Sequence, residues 1–320
     1  MLEFTRGVVL SRHQSKIRDG WRKHGRPRAI GALASTAILL ACGLVAILTW
    51  NASDHVLHPP HVSYAGLIRR YRTLASQAVT FDGAAGALIS GRFFPGRTRA
   101  TIILSHGYGA TQEQMLPWAA FLHQAGFSVL TYDMRGAGHS GGSITLGALE
   151  QRDLVSAVDY LVSRPDVDKD KIAALGFSLG GAVSIMAGAL DRRIKAVVDD
   201  SGYAELRHWF RSSLGEALRH LTDPFSVLSL QMIEWRTGID ADALRPDARI
   251  ARLSPRPVLI IQGTADTTLP VGNSVENYRA ARQPKELWLV PGIDHGRALQ
   301  HEGATYVRRV VNFFRRALHV

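Results

Sequence analysis

Ile172-Ala173-Ala174-Leu175-Gly176-Phe177-Ser178-Leu179-Gly180-Gly181-Ala182-Val183-Ser184-Ile185-Met186-Ala187-Gly188-Ala189 decides how the rest of the chain is read. Its first residues form a short apolar run of strand length, and its last residues an alanine-rich run of helix length. Between them stands Gly-x-Ser-x-Gly, with Ser178 at the centre. Alone this pentapeptide is a weak signal. Between a strand and a helix it predicts a sharp, strained turn that lifts the serine hydroxyl above a sheet. The flanking glycines are required there because side chains would strike the neighbouring strand and helix. The N-terminus of the following helix also favours negative charge developing nearby.

The same alternation extends in both directions. Strands are expected at 78–81, 87–93, 101–105, 127–132, 172–176, 196–199, 258–262 and 287–290. Helices are expected near 112–125, 146–162, 179–190, 271–281 and 303–318. Runs such as Thr101-Ile102-Ile103-Leu104-Ser105 are continuously apolar, as strands covered on both faces are. Strand–helix alternation predicts a mostly parallel eight-stranded α/β sheet with helices on both faces. The first two strands have no helix between them, so the sheet is expected to open with an antiparallel pair.

Residues 201–250 break the alternation. Leu206, Phe210, Leu214 and Leu218, then Phe225, Leu228, Met232 and Trp235, recur at helical spacing. Two readings stand: ordinary helices packed on the sheet, or a small helical insertion capping a pocket.

Three further turns follow predicted strands. His106-Gly107-Tyr108-Gly109 comes after the third, where a backbone N–H of Tyr108 could join that of Leu179 in an oxyanion hole. Gly263-Thr264-Ala265-Asp266 places a carboxylate after the seventh. Pro291-Gly292-Ile293-Asp294-His295-Gly296 places an imidazole after the last. In open α/β sheets the site lies at the carboxyl ends of the strands, and the order Ser178…Asp266…His295 suits a serine nucleophile with its base and acid. Asp199, Asp200 and Asp294 compete with Asp266 for the acid's place.

With these residues in hand, the chain from about 78 to 318 resembles the α/β-hydrolase superfamily. It looks like small serine hydrolases of its depalmitoylase-like and prolyl-aminopeptidase-like branches. The motifs that match are His106-Gly-Tyr-Gly, Tyr132-Asp-Met-Arg-Gly-Ala-Gly-His-Ser, Gly176-Phe-Ser-Leu-Gly-Gly, Gly263-Thr-Ala-Asp-Thr-Thr-Leu-Pro-Val and Gly292-Ile-Asp-His-Gly. In such proteins the loop 133–140 is structural. The resemblance implies an acyl-enzyme mechanism on an ester or thioester, with no metal and no organic cofactor. An aminopeptidase would need carboxylates to hold a substrate amine, and Glu205, Glu216, Asp223 and Glu234 offer themselves. A non-catalytic binding protein on the same scaffold is the third reading.

The chain has 320 residues, 46% hydrophobic and 20% charged, which excludes wholesale disorder. Its net charge is +11. Residues 1–28 hold eight Lys/Arg against Glu3 and Asp19, residues 29–50 hold no charge, and the remaining 270 carry only +5. A basic excess so concentrated argues against a nucleic-acid footprint on a folded face. Cys42 is the single cysteine, which excludes an intrachain disulfide, a cysteine metal site and a cysteine nucleophile in the catalytic part.

The 22 uncharged residues Ala29–Trp50 would span about 33 Å as a helix, enough for a bilayer core. With the basic tail before them, they predict a transmembrane anchor. Its N-terminus is expected in the cytoplasm and the hydrolase in the periplasm or outside. A cleaved signal peptide has a shorter apolar region. Leu39-Leu40-Ala41-Cys42 resembles a lipobox, but mostly apolar residues follow it. Residues 51–77, with Pro59-Pro60, are expected to be a linker before the hydrolase at 78–320.

Overall fold

The computed structural model describes residues 9–60, 62–212 and 219–320, and the side chains within these except at 9–29 and 211–224. Leu214, Glu216 and Leu218 therefore lie outside the described residues, as does the start of the basic tail; the side chain of Asp223 is not described. By internal contacts the chain divides into a unit of residues 1–52 and a unit of residues 53–320.

The first unit is helical. Helix α1 runs Val9–Leu57, and its stretch from Ile30 is long and apolar enough to cross a membrane. Ile30, Leu33, Ile38, Leu39 and Leu40 are all exposed among the described residues.

The second unit is built on eight strands: β1 Gln77–Asp82, β2 Leu88–Phe94, β3 Thr101–Ser105, β4 Ser128–Tyr132, β5 Ile172–Phe177, β6 Ile194–Asp200, β7 Val258–Gly263 and β8 Lys285–Val290. They lie in the order β1-β2-β4-β3-β5-β6-β7-β8. β1 pairs antiparallel with β2, and β2 with β4; every later pairing is parallel. The sheet is therefore mixed at one edge only, because β1 and β2 meet without a helical crossover.

Helices cover both faces. They are α2 Ala65–Arg70, α3 Leu116–Gln124, α4 Glu150–Ser163, α5 Leu179–Leu190, α6 Leu206–Ser212, α7 Arg219–Thr237, α8 Pro246–Arg249, α9 Gly272–Ala280, α10 Ala298–Glu302 and α11 Ala304–Leu318. Alternate strand residues point to opposite faces. Ile103 packs with Leu154, Val158 and Val183 of α4 and α5. Its neighbours Ile102 and Leu104 pack on the other side with Leu122, Phe127 and Phe314. α11 shows how a helix is fitted to such a face: Tyr306, Val310, Phe313 and Phe314 are buried, while Arg315 and Arg316 reach solvent.

Two expectations shift. Helix α1 continues through Leu57 and stops before Pro59-Pro60, which cannot extend it. Residues 51–77 are thus partly ordered, with Leu57 buried and Leu67, Tyr71 and Leu74 packed on the core. In α7 the buried stripe is Ser226, Ser229, Leu230 and Ile233. The apolar stripe read from the sequence sits next to it, leaving Leu228 41% and Trp235 75% exposed.

Candidate active site

The serine turn is built by its neighbours. Ser178 adopts φ 55°, ψ −121°, a strained conformation for a residue with a side chain. A side chain on Gly176 would begin 1.9 Å from the carbonyl oxygen of Gly180, and one on Gly180 would begin 2.2 Å from that of Ser105. Both glycines are needed for β5 to turn tightly into α5 beside β3. The Ser178 N–H donates to the Asp200 carbonyl at 2.8 Å, extending the β5–β6 ladder to the serine itself.

Ser178, His295 and Asp266 come together from three loops. His295 Nε2 lies 3.0 Å from Ser178 Oγ, and His295 Nδ1 lies 2.7 Å from Asp266 Oδ2. The Asp266 side chain is fully buried and that of His295 is 16% exposed. Asp266 Oδ1 accepts the N–H groups of Thr268 and Leu269 at 2.9 and 2.8 Å. Its Oδ2 also accepts Gln262 Nε2 at 2.6 Å. Gln262 is held in turn by Ser274 Oγ at 2.7 Å. So bonded, the carboxylate leaves one direction of Oδ2 free for an imidazole N–H. The chain of bonds can draw a proton from the Ser178 hydroxyl and stabilise the imidazolium that forms.

The competing carboxylates go elsewhere. Asp294 is exposed, and its Oδ1 accepts Thr267 N–H and His295 N–H at 2.9 and 2.8 Å, tying the two loops together. These backbone hydrogen bonds hold its acid below the usual carboxylate range. Asp199 is buried; one of its oxygens accepts Gly202 N–H at 2.9 Å and the other has no donor. Burial, then the charge of Asp200, pushes its acid up to about 7. Asp200 Oδ2 accepts the Tyr306 hydroxyl at 2.7 Å, and that hydroxyl accepts Trp118 Nε1 at 2.9 Å. Burial pushes the Asp200 acid up to about 6.

The loop after β3 is fixed by His106, which is buried. Its Nε2 accepts the Met134 N–H at 2.9 Å and its Nδ1 lies 2.7 Å from the Gly107 carbonyl. One nitrogen must accept and the other donate, so the ring is neutral; burial lowers its basicity. Among the described residues, the N–H groups of Tyr108 and Leu179 have no acceptor. Loop 133–140 is held by structure alone: Asp133 accepts the N–H groups of Gln112 and His139 at 2.8 and 3.0 Å.

Several residues around the site carry no sequence motif. The Phe177 ring lies 5.1 Å from the His295 ring and is flanked by Gly107 and Gly296. Trp209 of α6 stacks on Tyr203 at 6.1 Å and meets Tyr108 edge-on at 6.3 Å. The insertion therefore both packs on the core and borders the loop after β3. Of the carboxylates suited to an amine, Glu234 accepts Arg207 at 3.2 Å and Ala241 N–H at 3.0 Å. Glu205 lies 3.8 Å from Arg245. No group of three or more metal-ligating side chains occurs among the described residues.

The pattern of the prolyl oligopeptidase family matches residues 115–320. The uncharacterized protein YfhR of Salmonella typhi is 31% identical over 251 residues, which cover 76% of this chain and 82% of that protein. The thiohydrolase AneE of Aspergillus aculeatus is 31% identical over 125 residues, 38% of this chain and 39% of that one. Among solved structures, the Pyrococcus furiosus esterase Pf2001 superposes with a TM-score of 0.65 at 26% identity, covering 82% of this chain and 98% of that one.

Proposed function

This chain belongs to the prolyl oligopeptidase family of α/β-hydrolase enzymes, and on that premise we propose that it is a membrane-anchored serine hydrolase that cleaves carboxylic esters or thioesters. The observation that carries the reading is the hydrogen-bonded chain from Ser178 through His295 to Asp266. His295 Nε2 takes the hydroxyl proton as Ser178 Oγ attacks the acyl carbonyl. The N–H groups of Tyr108 and Leu179 receive the oxyanion, each worth about 3 kcal/mol. The tetrahedral intermediate collapses to an acyl-serine as His295 protonates the leaving group. Water, deprotonated by the same imidazole, then releases the acid. The esterase and thiohydrolase among the similar proteins support an acyl substrate with an oxygen or sulfur leaving group. A serine at the turn argues against dehalogenase or epoxide hydrolase chemistry, which uses an aspartate there.

Profiling purified protein against p-nitrophenyl esters, an acyl thioester and aminoacyl amides tests this. Ester or thioester turnover lost in Ser178→Ala is expected. Turnover of amides alone would replace the reading with a peptidase, which the family match favours as the second possibility. The arginine partners of Glu205 and Glu234 count against that alternative.

The apolar stretch of α1 and the basic tail before it support an anchor with a cytoplasmic N-terminus and an exported catalytic domain. Alkaline phosphatase and green fluorescent protein fused after Val320 read the side directly. Active phosphatase with a dark fluorescent protein is expected in a bacterial host; the opposite pair would place the catalytic domain in the cytoplasm.

A further inference from the structure

The residues that follow the apolar run are built into the second unit, and they touch the parts that border the candidate site. Tyr108 donates its hydroxyl to the Val56 carbonyl at 2.8 Å, with the His55 carbonyl at 3.4 Å. Pro59 lies against Gly109, 3.3 Å from where a side chain there would begin. Leu57 is buried in the core. Arg236 of α7 donates to Ser53 Oγ at 2.7 Å and to Asp54 Oδ1 at 2.8 Å. Residues 53–60 thus form a strap that grips the loop after β3 on one side and the insertion on the other. Burial pushes the Tyr108 hydroxyl up to about 12, so it stays a donor at neutral pH.

Chain length now limits where the site can work. Val56 is six residues beyond Trp50, the last residue of the uncharged run. Even fully extended, six residues reach only about 20 Å. Tyr108, bonded to Val56, carries one of the two oxyanion N–H groups in the reading above. With Trp50 at the bilayer surface, chain length alone keeps Val56, and the Tyr108 hydroxyl bonded to it, within about 20 Å of that surface. Trp209, half-buried, meets the Tyr108 ring edge-on and stacks on the buried ring of Tyr203. We propose that the strap holds the catalytic centre at the membrane surface, and that its substrate is an amphiphile resident in the bilayer, a long-chain acyl ester or thioester. This rests on the hydrolase reading and on the anchor.

The test uses the full chain in phospholipid vesicles, with p-nitrophenyl palmitate in the bilayer and p-nitrophenyl acetate in the water. A flexible Gly-Ser spacer of about twenty residues, with a root-mean-square length of roughly 25 Å, is inserted between Asn51 and Ala52. It leaves the strap's contacts in place and frees them from the anchor. Fluorophosphonate labelling of Ser178 normalises both rates to the folded fraction. The expected result is a palmitate rate lowered about tenfold with the acetate rate held within about twofold. An unchanged ratio of the two rates overturns the inference and leaves the hydrolase reading standing. Turnover of neither ester by the parent chain overturns both.

Discussion

Asp200 accepts the N–H of Ser178 on its backbone carbonyl at 2.8 Å while its side chain is held by Tyr306. The strained serine is therefore the last rung of the β5–β6 ladder, anchored from the strand that also carries Asp199. Such backbone strain persists only where its surroundings impose it. Here they do so through the ladder and through the two glycines that let α5 start beside β3.

Ser178→Ala is expected to remove turnover and leave the fold unchanged, because only Oγ is lost from a turn set by backbone contacts. Circular dichroism and fluorophosphonate labelling followed by peptide mapping check this. An adduct of the unaltered protein on another serine would displace Ser178.

Asp266→Asn is expected to lower kcat by about 10⁴, since an amide would favour the wrong imidazole tautomer. Its Nδ2 could also clash with the donor groups that Oδ1 and Oδ2 now accept. Asp200→Asn is expected to cost far less, because its carboxylate bonds Tyr306 and Ser201. Steady-state kinetics of the two variants would reverse the assignment if their order were inverted.

Asp199 makes stability depend on pH. Its ordinary value is 3.8, and in the folded protein it stands at about 7. Between those values the folded protein keeps a proton that the unfolded chain has released. The contribution is fully present below about pH 4 and is lost as pH rises towards 7. Asp199 Oδ2 and Asn277 Oδ1 are both buried without a donor. Asp199→Asn brings an N–H to this place. A higher Tm at pH 8 and a flatter pH dependence by calorimetry are expected; a lower Tm at pH 8 would contradict the account.

Arg135 and Asp153 form a buried bidentate pair at 2.7 and 2.6 Å, and both also bond the backbone of Ala84. Arg135→Ala leaves a buried carboxylate without its cation. A loss of about 3–5 kcal/mol in urea unfolding is expected. A loss below about 1 kcal/mol would mean that the pair is replaced readily by water.

The elements were legible because they are local. Apolar runs such as Thr101–Ser105 announce strands buried on both faces, and β3 spans those same residues. The turn at Ser178 is written in glycines whose neighbours in space are close in sequence or one strand away. The uncharged stretch of α1 is equally a property of consecutive residues. The stripe buried on α7 was not legible, because its sequence offers adjacent apolar stripes and the core takes only one.

The alternation of strands and helices, the turn at Ser178 and the apolar run are encoded by period and by residue type over short stretches. Which of four acids bonds His295 depends instead on how the whole sheet packs. Asp199 and Asp200 end β6, while Asp266 and Asp294 follow β7 and β8; of the four, the Asp266 side chain is bonded to the His295 ring and the others are bonded elsewhere. The tertiary structure alone decided that Tyr108 reaches back to Val56 and Arg236 to Asp54. Those contacts join residues 52 and 182 positions apart, and no local pattern records a meeting that packing of the whole sheet brings about.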